Sequence, residues 1–202
     1  MTEHYFRTPE GEEHRRTIHA RLWDHQVELQ TANGVFSGTR LDPATAVLLR
    51  EVPPPDRTVR RVADVGCGYG PIALGLALAC PWLQVDAVDT NERALALTRD
   101  NAAALGVADR VRALSPDEVD PTATYDEIWS NPPIRIGKDA LHELLLGWLA
   151  RLAPQGRAVM VVGKNLGADS LQRWLGEQGW PTDRLASAKG FRVLETRPPA
   201  AV

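Results

Sequence analysis

Asp64-Val65-Gly66-Cys67-Gly68-Tyr69-Gly70-Pro71 is the stretch that decides the fold of this chain. An apolar run, Val59 to Val65, enters it, and a helical pattern, Pro71 to Ala79, leaves it. Strand, glycine turn and helix in that order open a βαβ unit. Glycines at such a turn allow backbone angles that other residues avoid. They let the chain approach a ligand closely and aim free helix-terminal amides at it. The spacing is Gly66-x-Gly68-x-Gly70, and Pro71 stands where the dinucleotide fingerprint G-x-G-x-x-G has its third glycine. NAD and FAD are therefore disfavoured. No Gly-Lys-Ser/Thr follows, so a Walker-type phosphate loop is absent as well. The pattern suits a nucleotide-like cofactor that has no pyrophosphate.

Outward from that turn the chain keeps alternating strand and helix. Strands are expected at Gln84–Val88, Arg110–Leu114, Tyr125–Ser130 and Arg157–Val162. Helices are expected at Glu92–Leu105, about Asp139–Leu152 and Ser170–Glu177. The last two strands, near Arg184–Ala188 and Phe191–Thr196, are joined only by Lys189-Gly190, too short for a parallel crossover, so they must pair antiparallel. The fold class is α/β and Rossmann-like, with helices on both faces of a mostly parallel seven-stranded sheet whose last strand is antiparallel.

The first 40 residues differ from the rest. Thr17–Trp23 and Gln26–Gln30 alternate in part around Asp24-His25 and predict a β-hairpin. Asp42-Pro43 then opens a helix, with Asp as N-cap and Pro at the first helical position. Residues 1–40 are expected to form a hairpin extension, and residues 41–202 one compact domain.

Composition narrows the class. The chain has 202 residues, enough for one α/β domain with a full core. Its net charge of −3 argues against a generic nucleic-acid binder. After Asn131, however, ten Lys and Arg face six Asp and Glu, and all three lysines fall there. Cys67 and Cys80 are the only cysteines, and four of the five histidines precede residue 30 without a ligand spacing, so neither a disulfide framework nor a metal site is expected. There is no membrane-length apolar run and no signal-peptide core after Met1, which leads us to expect a cytoplasmic protein.

A second motif, Asn131-Pro132-Pro133-Ile134, ends the Tyr125–Ser130 strand about 60 residues after the glycines. Two prolines stiffen the loop and remove N–H groups from it, so carbonyls dominate that rim. The Asn131 side-chain oxygen and the Pro132 carbonyl can each accept one hydrogen of an –NH2 group. On the cofactor side, Asp89 ends its strand about 20 residues after the glycines. It can accept both hydroxyls of a ribose, or cap the helix that follows. Asp64 can take up an ammonium, and Ser115 or Asp117 sits where an adenine would be met.

Taken together, these residues resemble a class I S-adenosylmethionine-dependent methyltransferase. Gly34-Val35-Phe36-Ser37, Asn131 to Lys138 and Lys189-Gly190-Phe191 narrow the resemblance. Over roughly residues 25–197 the chain resembles the catalytic domain of the small-ribosomal-subunit RNA guanine-N2 methyltransferases. That resemblance implies S-adenosyl-L-methionine as cofactor, with Asp64, Gly66, Cys67, Gly68, Gly70, Asp89, Ser115 and Asn131 around it. It implies that Asn131, Pro132, Pro133 and Ile134 hold the acceptor amine. Phe36, Arg135, Lys138, Lys164 and Lys189 would meet RNA, the basic residues through its phosphates. The chain departs from the family in having Ile134 where many members have an aromatic that stacks on the base. It also has only about 40 residues where the rRNA enzymes carry a second, degenerate domain. Adenine N6, a protein glutamine amide, a small-molecule acceptor and a non-catalytic cofactor-binding module remain alternatives.

Overall fold

A computed structural model describes residues 12–199. Strands β1 (Arg15–Leu22) and β2 (His25–Ala32) form an antiparallel hairpin, and helix α1 (Pro43–Glu51) follows. The main body runs β3 (Arg61–Val65), α2 (Pro71–Ala79), β4 (Gln84–Val88), α3 (Glu92–Ala104), β5 (Val111–Leu114), β6 (Tyr125–Ser130), α4 (Lys138–Leu149), β7 (Leu152–Gly163), α5 (Ala168–Glu177), β8 (Thr182–Ala188) and β9 (Phe191–Thr196). These seven strands form one sheet in the order β5-β4-β3-β6-β7-β9-β8. The first five are parallel, and β9 runs antiparallel to both β7 and β8. The expected α/β architecture is the one observed.

Alternate residues of each strand enter two different cores. Trp129, Val159, Val161 and Val193 point to one face, with the hairpin, α1, α2 and α3. Ile128, Ala158, Met160, Val162 and Leu194 point to the other, with α4 and α5. A sheet covered on both faces needs apolar residues on both, which is why its strands read as continuous apolar runs. The hairpin's buried Ile18, Ala20, Leu22, Val27 and Leu29 belong to the same core as α2. Among the described residues, no helix is long and apolar enough to cross a membrane.

The hairpin turn differs from expectation by one residue. Leu22 pairs with His25, so Trp23 and Asp24 make the turn and His25 begins β2. Trp23 takes a left-handed φ of 49°. Its indole Nε1 donates to the Val52 carbonyl at 2.8 Å, and its ring meets Trp129 edge-on at 5.8 Å. These tertiary contacts hold a backbone angle that a bulky residue seldom adopts. Strand β7 also starts earlier than expected, because Leu152 already pairs with Tyr125 before a register shift.

Gly70, at φ 91°, caps α2, and a Cβ there would lie 3.0 Å from both Cγ2 and Oγ1 of Thr98. Gly68, at φ 57°, would place a Cβ in open space. Gly70→Ala therefore combines backbone strain with overpacking and is expected to lose about 2–4 kcal/mol of stability. Gly68→Ala carries only the strain, about 1–2 kcal/mol. Urea unfolding of the two variants measures the difference.

Candidate active site

Strand register brings the motifs together. Val65 is paired with Val88 on one side and with Ser130 on the other. Gly66, Asp89 and Asn131 therefore leave three adjacent strands at one level. Here the chain has gone out through β4 and β5 and returned to the other side of β3, which makes a switch point in an open parallel sheet, where ligands bind. A cavity of about 430 Å³ opens there. Gly66, Cys67, Gly68, Asp89, Asn131, Pro132, Pro133, Ile134, Phe36 and Arg135 all line it.

Not every expected residue reaches the cavity wall. Asp64 is fully buried beneath the glycine turn, where its Oδ2 accepts the Ala73 amide at 2.9 Å. Its Oδ1 has no hydrogen-bond partner. Burial pushes the Asp64 carboxyl up to about 7 against the pull of the Ala73 amide, and the charge of Asp89 adds to the rise. Gly70 is buried as the cap of α2 and serves the turn rather than the wall. Ser115 is held in a capping box with Glu118, and Pro116, not Ser115, lines the cavity.

Asp89 does not cap the helix that follows it, one of the two roles its position suggested. Its Oδ2 accepts the Gly68 amide and its Oδ1 the Asn91 amide, each at 2.9 Å. Helix α3 is capped by Asn91, whose Oδ1 accepts the amides of Arg93 and Ala94. The Asp89 carboxylate lies on the cavity wall. Burial pushes its pKa up, against the pull of the Asn91, Gly68 and Thr90 amides.

On the facing wall, Asn131 Nδ2 donates to Asp42 Oδ1 at 2.9 Å and to Thr45 Oγ1 at 3.1 Å. Both amide hydrogens are thereby used, and Oδ1 is left as the acceptor. The Pro132 carbonyl accepts the Ile134 amide at 2.8 Å across Pro133, at φ −75° and ψ 71°. These are the angles of an inverse γ-turn, and a carbonyl's second lone pair remains for another donor. Sequence reading placed Asp42 as a helix cap and did not include Thr45. Tyr69 was also missed. It lines the cavity, yet its buried hydroxyl has no partner. Burial first, then the Asp42 charge, pushes that hydroxyl's pKa up.

The rim is apolar and basic. Phe36 is 51% exposed and Leu166 is 55% exposed, and both line the cavity mouth. Arg135 lines it too, while Lys138 lies on a neighbouring cavity of about 270 Å³ that shares Ile134 and Leu166 with the first. Lys164 and Lys189 lie outside both. The Lys164 amide donates to the Gly190 carbonyl at 2.8 Å, which joins the Lys164 loop to the Lys189-Gly190 turn.

Comparison with known proteins fits this geometry. The model of the methyltransferase small domain family matches residues 26–195. An uncharacterised Bacillus subtilis protein, YbxB, is 30% identical over 98% of this chain and 99% of its own length. Ribosomal RNA small subunit methyltransferase C of Chromohalobacter salexigens is 37% identical over 83% of this chain and 50% of its own length. A T. thermophilus 16S rRNA N2 methyltransferase, solved with AdoMet and guanosine, superposes with a TM-score of 0.74 at 24% identity. That superposition covers 94% of this chain and 52% of that one. The chain thus spans about half the length of these two rRNA methyltransferases. The family match covers most of the chain, so the protein belongs to the methyltransferase small domain family: it is a class I S-adenosylmethionine-dependent methyltransferase.

Proposed function

We propose that the enzyme methylates the exocyclic N2 of a guanine in ribosomal RNA of the small subunit. The observation that carries this reading is the polarity of Asn131. With both Nδ2 hydrogens given to Asp42 and Thr45, the group offered to the acceptor is a carbonyl oxygen. Such an oxygen recognises a nucleophile that carries hydrogen, as an –NH2 group does. The Pro132 carbonyl supplies the second acceptor. Held by both, the nitrogen is aligned and drawn out of conjugation with its ring. No strong base is needed, because the nitrogen's proton becomes acidic only as the new C–N bond forms. Positioning of this kind contributes on the order of 7–11 kcal/mol.

The chain's residues fit S-adenosylmethionine, which when bound supplies an electrophilic methyl group on a sulfonium. Asp89, on the cavity wall, would take the ribose hydroxyls. Gly66 and Gly68 leave a cradle that side chains would fill. The orphaned Asp64 Oδ1 beneath the turn and the orphaned Tyr69 hydroxyl on the wall add two buried polar atoms in want of a donor or acceptor. Phe36, Leu166 and Ile134 would offer the acceptor base an apolar bed, and the exposed Arg135, Lys138, Lys164 and Lys189 would meet RNA phosphates. Relatives named as small-subunit rRNA methyltransferases support the choice of RNA. With an rRNA acceptor, the enzyme would work in the cytoplasm.

Labelled S-adenosylmethionine, offered with ribosomal subunits, free RNA and protein extract from cells lacking this protein, tests the proposal. Label in small-subunit RNA at guanine N2, lost with Asn131→Ala, is the expected result. Label at adenine N6, or in a protein glutamine amide, would replace the substrate. Reversing Lys164 and Lys189 to Glu should weaken RNA binding and lower its salt slope by about 2. An unchanged slope in a salt titration would remove these lysines from the RNA surface.

A further inference from the structure

Helix α1 lies outside both sequence motifs, yet its first turn holds Asn131. Asp42 Oδ1 accepts the amides of Ala44 at 2.8 Å and Thr45 at 3.1 Å, as an N-cap does. The same oxygen accepts Asn131 Nδ2 at 2.9 Å. Thr45 is 3% exposed and adds the second acceptor at 3.1 Å. Pro43 stiffens the turn that carries them. A side-chain amide can lie either way round at nearly equal shape. Rotated by half a turn, the Asn131 carbonyl would face a carboxylate oxygen at hydrogen-bond distance. That arrangement sets like partial charges together and removes a charge-assisted bond. The negative end of Asp42, fixed by α1, therefore dictates which end of Asn131 meets the acceptor.

We propose that Asp42 and Thr45 are positioning residues that fix the polarity of the Asn131 amide, and so restrict the enzyme to acceptors that donate hydrogen from the reacting atom. This deepens the amine-acceptor reading above and rests on it. Neither residue touches the reacting nitrogen in this account; each acts through Asn131. Capping alone would make Asp42 a stability residue. Ser is as good a cap as Asp, but it is too short to hold Asn131 as well. Asp42→Ser thus separates the two roles, and Thr45→Val removes a hydroxyl at nearly constant volume.

The test uses the full chain and two readouts. In an amide-proton NMR spectrum, the Asn131 side-chain pair is assigned by its loss in Asn131→Ala. In the wild type both protons should exchange slowly. Asp42→Ser and Thr45→Val should each shift the pair and speed its exchange, with the melting temperature moved by only a few degrees. In turnover on small-subunit RNA, the double variant should lose about 100-fold in kcat, with cofactor Kd changed less than about 3-fold. Introduced into Asn131→Ala, the same two changes should cost almost nothing more, because residues acting as one unit are not additive. Unmoved Asn131 resonances, or an additive loss on the Asn131→Ala background, would overturn the inference. Full turnover by Asn131→Ala would instead sink the amine-acceptor reading, whatever the spectra show.

Discussion

Asn131→Ala is expected to lower the methyl-transfer rate about 1,000-fold, which corresponds to roughly 4 kcal/mol of lost transition-state stabilisation. The size follows from what the side chain provides. The Asn131 oxygen is the one free polar atom of a side chain whose nitrogen is already bound twice. Its hold on the acceptor amine should tighten as the nitrogen gains positive character along the reaction. An interaction stronger in the transition state than in the ground state appears in kcat, not in KM. Alanine also leaves Asp42 with its two helix-cap amides, so α1 should remain in place. Single-turnover rates at saturating cofactor, with Kd measured separately, check the prediction. A loss confined to KM would mean that Asn131 only binds and does not align.

The second large effect concerns Asp64 and pH. Its carboxyl is fully buried, with one oxygen unpartnered, and burial raises it to about 7. In the unfolded chain an aspartate titrates near 3.9. Between these values the folded protein holds a proton that the unfolded chain has released. Stability therefore falls as pH rises from about 4 to about 7, and levels off above. The full shift corresponds to on the order of 4 kcal/mol, with about 2–4 expected in practice. Asp89 is raised too and adds to the same slope. Denaturant unfolding of the ligand-free protein at pH 5 and pH 8 measures the change. Asp64→Asn keeps an acceptor for the Ala73 amide and cannot ionise, so it should flatten most of the slope. A ligand-free protein more stable at pH 8 than at pH 5 would contradict the assignment.

Much of this was legible in the amino-acid sequence because the signals are local. The Gly66-x-Gly68-x-Gly70 turn, Asp89 at a strand end and Asn131-Pro132-Pro133 each follow an apolar run that can only be a covered strand. The short Lys189-Gly190 link forced an antiparallel end to the sheet. Less local matters could not be read there. Ser115 and Asp64 have the right chain positions, but one is tied into a capping box and the other lies under the turn. Chain position fixes the strand level a residue leaves from, and packing fixes whether its side chain meets the cavity.

By itself, then, the sequence determined the class of fold, the strand ends that carry the three motifs and the kind of chemistry they suit. The tertiary structure alone decided which end of the Asn131 amide is left unpaired, because that depends on Asp42 and Thr45, more than 80 residues away. It also decided that Tyr69 keeps a buried hydroxyl without a partner, and that the Lys164 loop meets the Lys189 turn. Hydrogen-bond partners distant in the chain leave no periodic trace in a sequence. They are set when helices pack on a sheet and each buried polar group must find its partner there.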